Sequence, residues 1–211
     1  MKKVVLLITI LFVSVISTAC INNLAVQELN NKAKEYMANG ETEKAICRLR
    51  SSIDLDTSIF ETHYNLGVAL IENKEYSEAQ ASLENAIKLK PDFADAYYSL
   101  AMAFENQADA IINKSDDSQK DVSDEDNATS ADNKAQKQLT ESEKTKIVEL
   151  YNSAIDNYNK YLVKQPEAQD KDKITAQIDF LNNEIRKYNS DRNTNLSDIE
   201  PSTSAGIQGE D

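Results

Sequence analysis

Small and large apolar residues recur in this sequence at a spacing of 34, and that spacing limits the possible folds more than any other feature. Ala33, Gly67 and Ala101 form one series. Tyr36, Leu70 and Phe104 form a second, and Ala45 and Ala79 a third. Within residues 60–93, His63, Leu66, Gly67 and Leu70 fall at i, i+3, i+4 and i+7, one face of an α-helix. Ala79, Leu83, Ala86 and Ile87 form a second such face, after a polar link at 72–75. Pro91 stops the second helix, because it has no N–H to donate and its ring clashes with the preceding turn. Helices this short are marginal alone, so each must pack against neighbours. Gly67 and Ala79 lie on the facing stripes and let the two axes approach. A glycine inside a helix costs about 1 kcal/mol relative to alanine, which close packing would offset.

The unit resembles a tetratricopeptide repeat, whose period is about 34 residues. The matching residues are Leu66, Gly67, Leu70, Tyr76, Ala79, Leu83, Ala86 and Pro91. His63 stands where the family most often has Trp, and Leu70 where it has Tyr. Residues 26–59 read as a first repeat, with Asn39 and Gly40 at the turn and Thr57 in place of the final proline. Tyr97, Leu100, Ala101 and Phe104 open a third repeat over 94–168. Its second small residue is expected at 113, where Asn stands, and appears only at Ala154. Ile155, Tyr158, Tyr161, Leu162 and Pro166 then complete the pattern.

An insertion therefore interrupts the third repeat. Residues 115–133 hold seven acidic side chains, one Lys and a single aliphatic larger than Ala, Val122. Such a stretch cannot bury enough apolar surface to offset its ordering, so about 115–138 is expected to be disordered. Ala108, Ile111 and Ile112 continue the upstream face, and Ile147, Leu150 and Tyr151 extend the downstream one backwards. Both helices are thus expected to run on as a projecting hairpin. Ile174, Ile178, Leu181, Ile185 and Tyr188 make one stripe of a capping helix at 172–189, and 190–211 reads as a disordered tail. The resulting expectation is an all-α, TPR-like solenoid over 26–189, with three helix-turn-helix repeats and a C-terminal cap.

The chain carries 36 acidic and 23 basic residues, a net charge of −13, with no basic cluster. That balance argues against nucleic-acid binding and against electrostatic docking on anionic lipid. Lys2 and Lys3 precede an apolar run at 4–16, too short for a spanning helix of roughly 20 residues and apt for a signal peptide at 1–19. Ser17, Thr18, Ala19 and Cys20 resemble a bacterial lipobox, with Ser17 where that motif prefers Leu or Val. The resemblance implies lipidation at Cys20, a linker over 20–25 and anchoring in the cell envelope. The anchor would lie in the outer membrane facing the periplasm, or on the cell surface where there is one membrane. Cys47 reads as a half-buried helix thiol.

No catalytic constellation stands out, and no cofactor or metal site is expected. His63, the single histidine, lies on a packing face. There is no phosphate loop, dinucleotide turn or Cys/His ligand pair. The family resemblance implies instead a non-enzymatic adaptor whose first helices line a concave partner face. The residues there are Asn30, Lys34, Glu61, Tyr64, Asn65, Val68, Ile71, Asp95, Tyr98, Met102 and Glu105. Tyr64 and Tyr98, 34 apart, are expected to be neighbours along it. Asn30 and Asn65 resemble the amide part of a clamp that some family members use on a C-terminal carboxylate, but Asp95 and Ser99 stand where its basic part belongs. The expected partner is a neutral or basic protein segment, with a structural subunit held by helix-end packing as the rival reading.

Overall fold

The computed structural model describes residues 23–117 and 139–197, with side chains at 23–114 and 139–190. The leader, Cys20, the centre of the acidic tract and the end of the tail lie outside the described residues. The described residues form seven helices and no strand. They are α1 (23–38), α2 (Thr42–Leu55), α3 (Phe60–Glu72), α4 (Tyr76–Leu89), α5 (Ala94–Asp117), α6 (Glu141–Lys164) and α7 (Lys171–Ser197). They pack in sequence order as an all-α solenoid: α2 on α3, α3 on α4, α4 on α5, α5 on α6 and α6 on α7. The first helices of the last two pairs, α3 and α5, also touch.

The repeated small residues all face inward. Ala33 is 1% exposed, Ala101 is fully buried and Gly67 is buried against α4. Two core segments follow one another along the solenoid. The first is built on Ala33, Leu49, Leu66, Leu70, Ala79, Leu83 and Leu100, the second on Ala101, Ile147, Leu150, Ala154, Ile174 and Leu181. Helix α5 supplies residues to both, and Phe104 packs against each.

Backbone chemistry sets where the helices stop. The first two pairs turn through residues in the left-handed region, Gly40 at φ 73° and Lys74 at φ 62°. Glu41 N–H donates to the Tyr36 carbonyl (2.8 Å) and Glu75 N–H to the Leu70 carbonyl (2.9 Å). Gly40 N–H and Lys74 N–H close the inner bonds to Met37 and Ile71, the Schellman arrangement at both turns. The corresponding position of the third repeat is Ala108, which is fully buried within α5. There Ala108 packs with Ile147, Leu150 and Tyr151 of α6, and Ile111 and Ile112 add to the same cluster. With apolar faces that pair beyond the usual turn, α5 and α6 run to 24 residues each, against 13 or 14 for α2 to α4. Thr140 starts α6 with a capping box: its Oγ1 accepts from Glu143 N–H (3.2 Å), and the Glu143 carboxylate accepts from Thr140 N–H (2.8 Å).

The first repeat lacks the proline, and Asp56 takes over its task. Its carboxylate accepts from both Ser58 N–H (2.8 Å) and Ser58 Oγ–H (2.6 Å). These bonds turn the chain after Leu55 and hold the Asp56 carboxyl below its usual range. Two expectations need correction. Helix α7 runs to Ser197, past the expected end at 189, so the start of the supposed tail is helical. Cys47 is exposed on α2 rather than half-buried.

The turn geometry makes a simple prediction. Nothing lies within 4 Å of a Cβ added at Gly40, so Gly40→Ala meets no clash and suffers backbone strain alone, about 1 kcal/mol. Lys74→Gly relieves the same strain and should raise the melting temperature by a small margin. Thermal unfolding of the two variants should therefore move in opposite directions.

Candidate partner-binding site

The first helices α1 and α3 are bridged by a polar network. The Asn30 amide N–H groups donate to the Val26 carbonyl (3.0 Å), Ser52 Oγ (2.9 Å) and Thr62 Oγ1 (2.9 Å), and its Oδ1 accepts from Asn65 Nδ2 (3.4 Å). Ser52 and Thr62 are fully buried. Asn30 thus ties α1 to α2 and α3, and it also lines the adjoining cleft. Beside it opens a cleft of about 280 Å³ whose lining includes Gln27, Asn31, Lys34, Glu61 and Asn65.

The two tyrosines expected to be neighbours are each engaged elsewhere. The Tyr64 ring stands edge-on to Phe93 at 4.9 Å, and Phe93 in turn meets Phe60 at 5.1 Å. Tyr98 sits against Tyr158 (5.8 Å) and Tyr161 (5.4 Å) on α6. Tyr64 and Ile71 also pack against the first core segment. Val68 and Met102 are half-buried, while Lys34, Glu61 and Asp95 are exposed. Ser99, one of the two positions lacking the basic group of a clamp, is buried.

Glu105, expected on an acidic rim, is half-buried beneath α7. One carboxylate oxygen accepts from Tyr158 O–H (2.7 Å) and the other from Gln177 Nε2 on α7. Burial pushes its carboxyl above the usual range, the Tyr158 hydrogen bond opposes this, and the nearby Asp109 charge adds to it. Asp109 is also raised by burial, and it accepts from Tyr151 O–H (3.2 Å). Tyr158 and Tyr151 are raised in turn, by burial first and by these carboxylates second. A second cleft, about 190 Å³, opens here between α5 and α7, lined by Tyr98, Met102, Glu105, Asn106, Tyr158, Lys173, Ile174 and Gln177. The contributions from α6 and α7 escape a reading of the sequence, because the insertion displaces α6 from the 34-residue register and α7 lies beyond it. The spacing of Lys173 and Gln177, flanking Ile174 on one helix face, was the available signal.

His63 is buried, and its Nε2–H donates to the Thr57 carbonyl (2.9 Å), so it fastens α3 to the preceding turn. Among the described residues no group of three or more His, Cys, Asp or Glu could hold a metal ion.

Residues 67–107 match the family model described as a TPR repeat. The chain has a TPR-like α-solenoid fold. Its fold is similar to the first TPR domain of human RPAP3 (TM-score 0.53, 14% identity, covering 78% of this chain and 95% of that one). It is also similar to the second TPR domain of human RPAP3 in complex with the HSP70 peptide SGPTIEEVD (TM-score 0.52, 14% identity, 75% and 98%). MamA, residues 41 to the end, from Desulfovibrio magneticus RS-1 is a third similar structure (TM-score 0.52, 17% identity, 85% and 78%). A sequence comparison with curated proteins found no match. These likenesses concern the fold. In this chain the first helices α1, α3 and α5 carry the two clefts, and α7 closes the second.

The half-buried Glu105 carboxylate gives a pH prediction. Its folded-state pKa lies above the unfolded value, so the protonated form fits the fold better. That contribution is fully present below the unfolded pKa and is lost as pH rises through the folded one. Glu105→Gln, which keeps an acceptor for Tyr158, should therefore raise the melting temperature at pH 7. The gain should close as pH falls towards 4. Thermal unfolding across that range checks it, and a constant offset at all pH values would contradict it.

Proposed function

We propose that this TPR protein is a non-enzymatic adaptor of the bacterial cell envelope, lipid-anchored through Cys20, that holds a neutral or basic segment of another protein along α1, α3 and α5. One observation supports the reading most directly. Exposed Glu61 lines the cleft beside α1 and half-buried Met102 the cleft beside α7, with half-buried Val68 on α3 and exposed Asp95 on α5, a mixture of charged and apolar side chains on the first helices. The RPAP3 domain in complex with SGPTIEEVD concerns a peptide with an acidic end. Here the third-repeat positions hold Asp95 and buried Ser99, and the chain has a net charge of −13, which disfavours such a ligand.

The test uses exposed residues, so that binding and folding are read separately. Glu61→Lys with Asp95→Lys should abolish capture of the envelope partner by cross-linking and co-purification, with the melting temperature unchanged. Undiminished capture would refute the partner face. Cys20→Ala should lose palmitate-analogue labelling and membrane fractionation; equal labelling would refute the anchor. The rival reading, a structural subunit held by helix-end packing, draws on Leu24 (67% exposed) on α1 and Phe180 (52% exposed) on α7. It requires Phe180→Asp, and not the charge reversal, to break the association.

A further inference from the structure

We infer that the cleft between α5 and α7 receives a single arginine side chain, with Glu105 as its carboxylate partner. This deepens the adaptor reading and rests on it for the source of that side chain, a segment of the partner protein.

The geometry around Glu105 is that of a half-occupied anion. A carboxylate offers about four lone-pair sites, and only the neutral donors Tyr158 O–H and Gln177 Nε2–H use them here. Among the described residues no cation pairs with Glu105. A desolvated carboxylate without a countercharge destabilises a fold, and an apolar or amide residue would fill the same space more cheaply. Its neighbours deepen the negative field: Asp109 lies close enough to raise it, and Asp170 and Asp95 act on the adjoining Tyr161. The one cation lining the cleft, Lys173, is exposed.

Size and shape select the occupant. The cleft holds about 190 Å³, below the roughly 300–1,000 Å³ of a small-molecule site, so it suits one long side chain. Met102 and Ile174 line it and can cover an aliphatic stem. The Tyr98 and Tyr158 rings, inclined at 60°, offer π-faces beside the carboxylate. A planar guanidinium can stack on such a ring while donating in a fork to the free lone pairs. It is also less strongly hydrated than an ammonium, so entry costs it less.

The experiment is an NMR titration of the uniformly 15N-labelled protein with N-acetyl-arginine amide, N-acetyl-lysine amide and N-acetyl-leucine amide. Arginine amide should give saturable shifts at Tyr98, Met102, Glu105 and the Gln177 side chain, at least fivefold tighter than lysine amide. Glu105→Gln should weaken this at least tenfold while its melting temperature holds or rises. Lys173→Glu, at an exposed site that does not threaten folding, should tighten it severalfold. Shifts no stronger with arginine than with leucine or lysine, or an affinity indifferent to both substitutions, overturn the inference. Arginine capture without any envelope partner would sink the adaptor reading alone; partner capture without arginine selectivity would sink this inference alone.

Discussion

Gly67→Ala should lower stability by about 2 kcal/mol, although it replaces a helix-weakening residue with the best helix former. An added Cβ would stand 2.4 Å from Leu83 Cγ and 2.8 Å from Cδ2. Cγ is the branch point of the side chain, and Leu83 is fully buried, so it has no room to withdraw. Overpacking of this kind costs about 1–3 kcal/mol, and here belongs at or above the top of that range. The helix-propensity gain of about 1 kcal/mol offsets part of it. For an array of this size, a net loss of about 2 kcal/mol lowers the melting temperature by roughly 4–8 °C. The decisive measurement is a double-mutant cycle. Leu83→Ala alone should cost about 2–5 kcal/mol. The pair should cost clearly less than the two separate losses combined, because the methyl added at position 67 enters the space that Leu83 leaves. Strict additivity would mean that this contact does not set the distance between α3 and α4.

Leu181→Ala is expected to have the largest effect of any single truncation on α7. Among the described side chains of this helix, Leu181 and Ile174 are the two buried hydrophobic residues, with Ile178, Ile185 and Tyr188 only partly covered. Leucine-to-alanine changes at fully buried sites cost about 3–5 kcal/mol through lost transfer energy and the residual cavity. The packing partner of α7 is chiefly α6, so the loss should be local. Helix α7 should detach while α1 to α6 stay folded, which also frees Glu105 from Gln177. Hydrogen exchange would then show early loss of protection over 171–190, and thermal unfolding would broaden or split. A single cooperative transition shifted by less than about 1 kcal/mol would show that α7 is held by other contacts.

Much of the architecture was legible. The 34-residue series placed Ala33, Gly67 and Ala101 on one packed face, and all three are buried. Pro91 and Pro166 marked the ends of α4 and α6. The run-on of α5 was readable too, since Ala108, Ile111 and Ile112 continue its apolar face. The candidate site was less legible. Asn30, Tyr98 and Glu105 were all placed on the correct helices, yet each is engaged by a residue outside the register. The first inter-repeat turn shows the same limit. Nothing in the composition near 56–58 announced that Asp56 would turn the chain where a proline was missing.

The sequence by itself determined the number of helices, their order, their pairing and most of their ends. Those properties follow from periodicity and from local φ preferences, which neighbouring residues carry among themselves. Only the tertiary structure decided which polar and aromatic side chains remain free to meet a partner. Glu105 depends on Tyr158 and Gln177, Asn30 on Ser52 and Thr62, and Tyr64 on Phe93. Burial and hydrogen bonding are set by what arrives from elsewhere in the chain, and no local pattern records those arrivals.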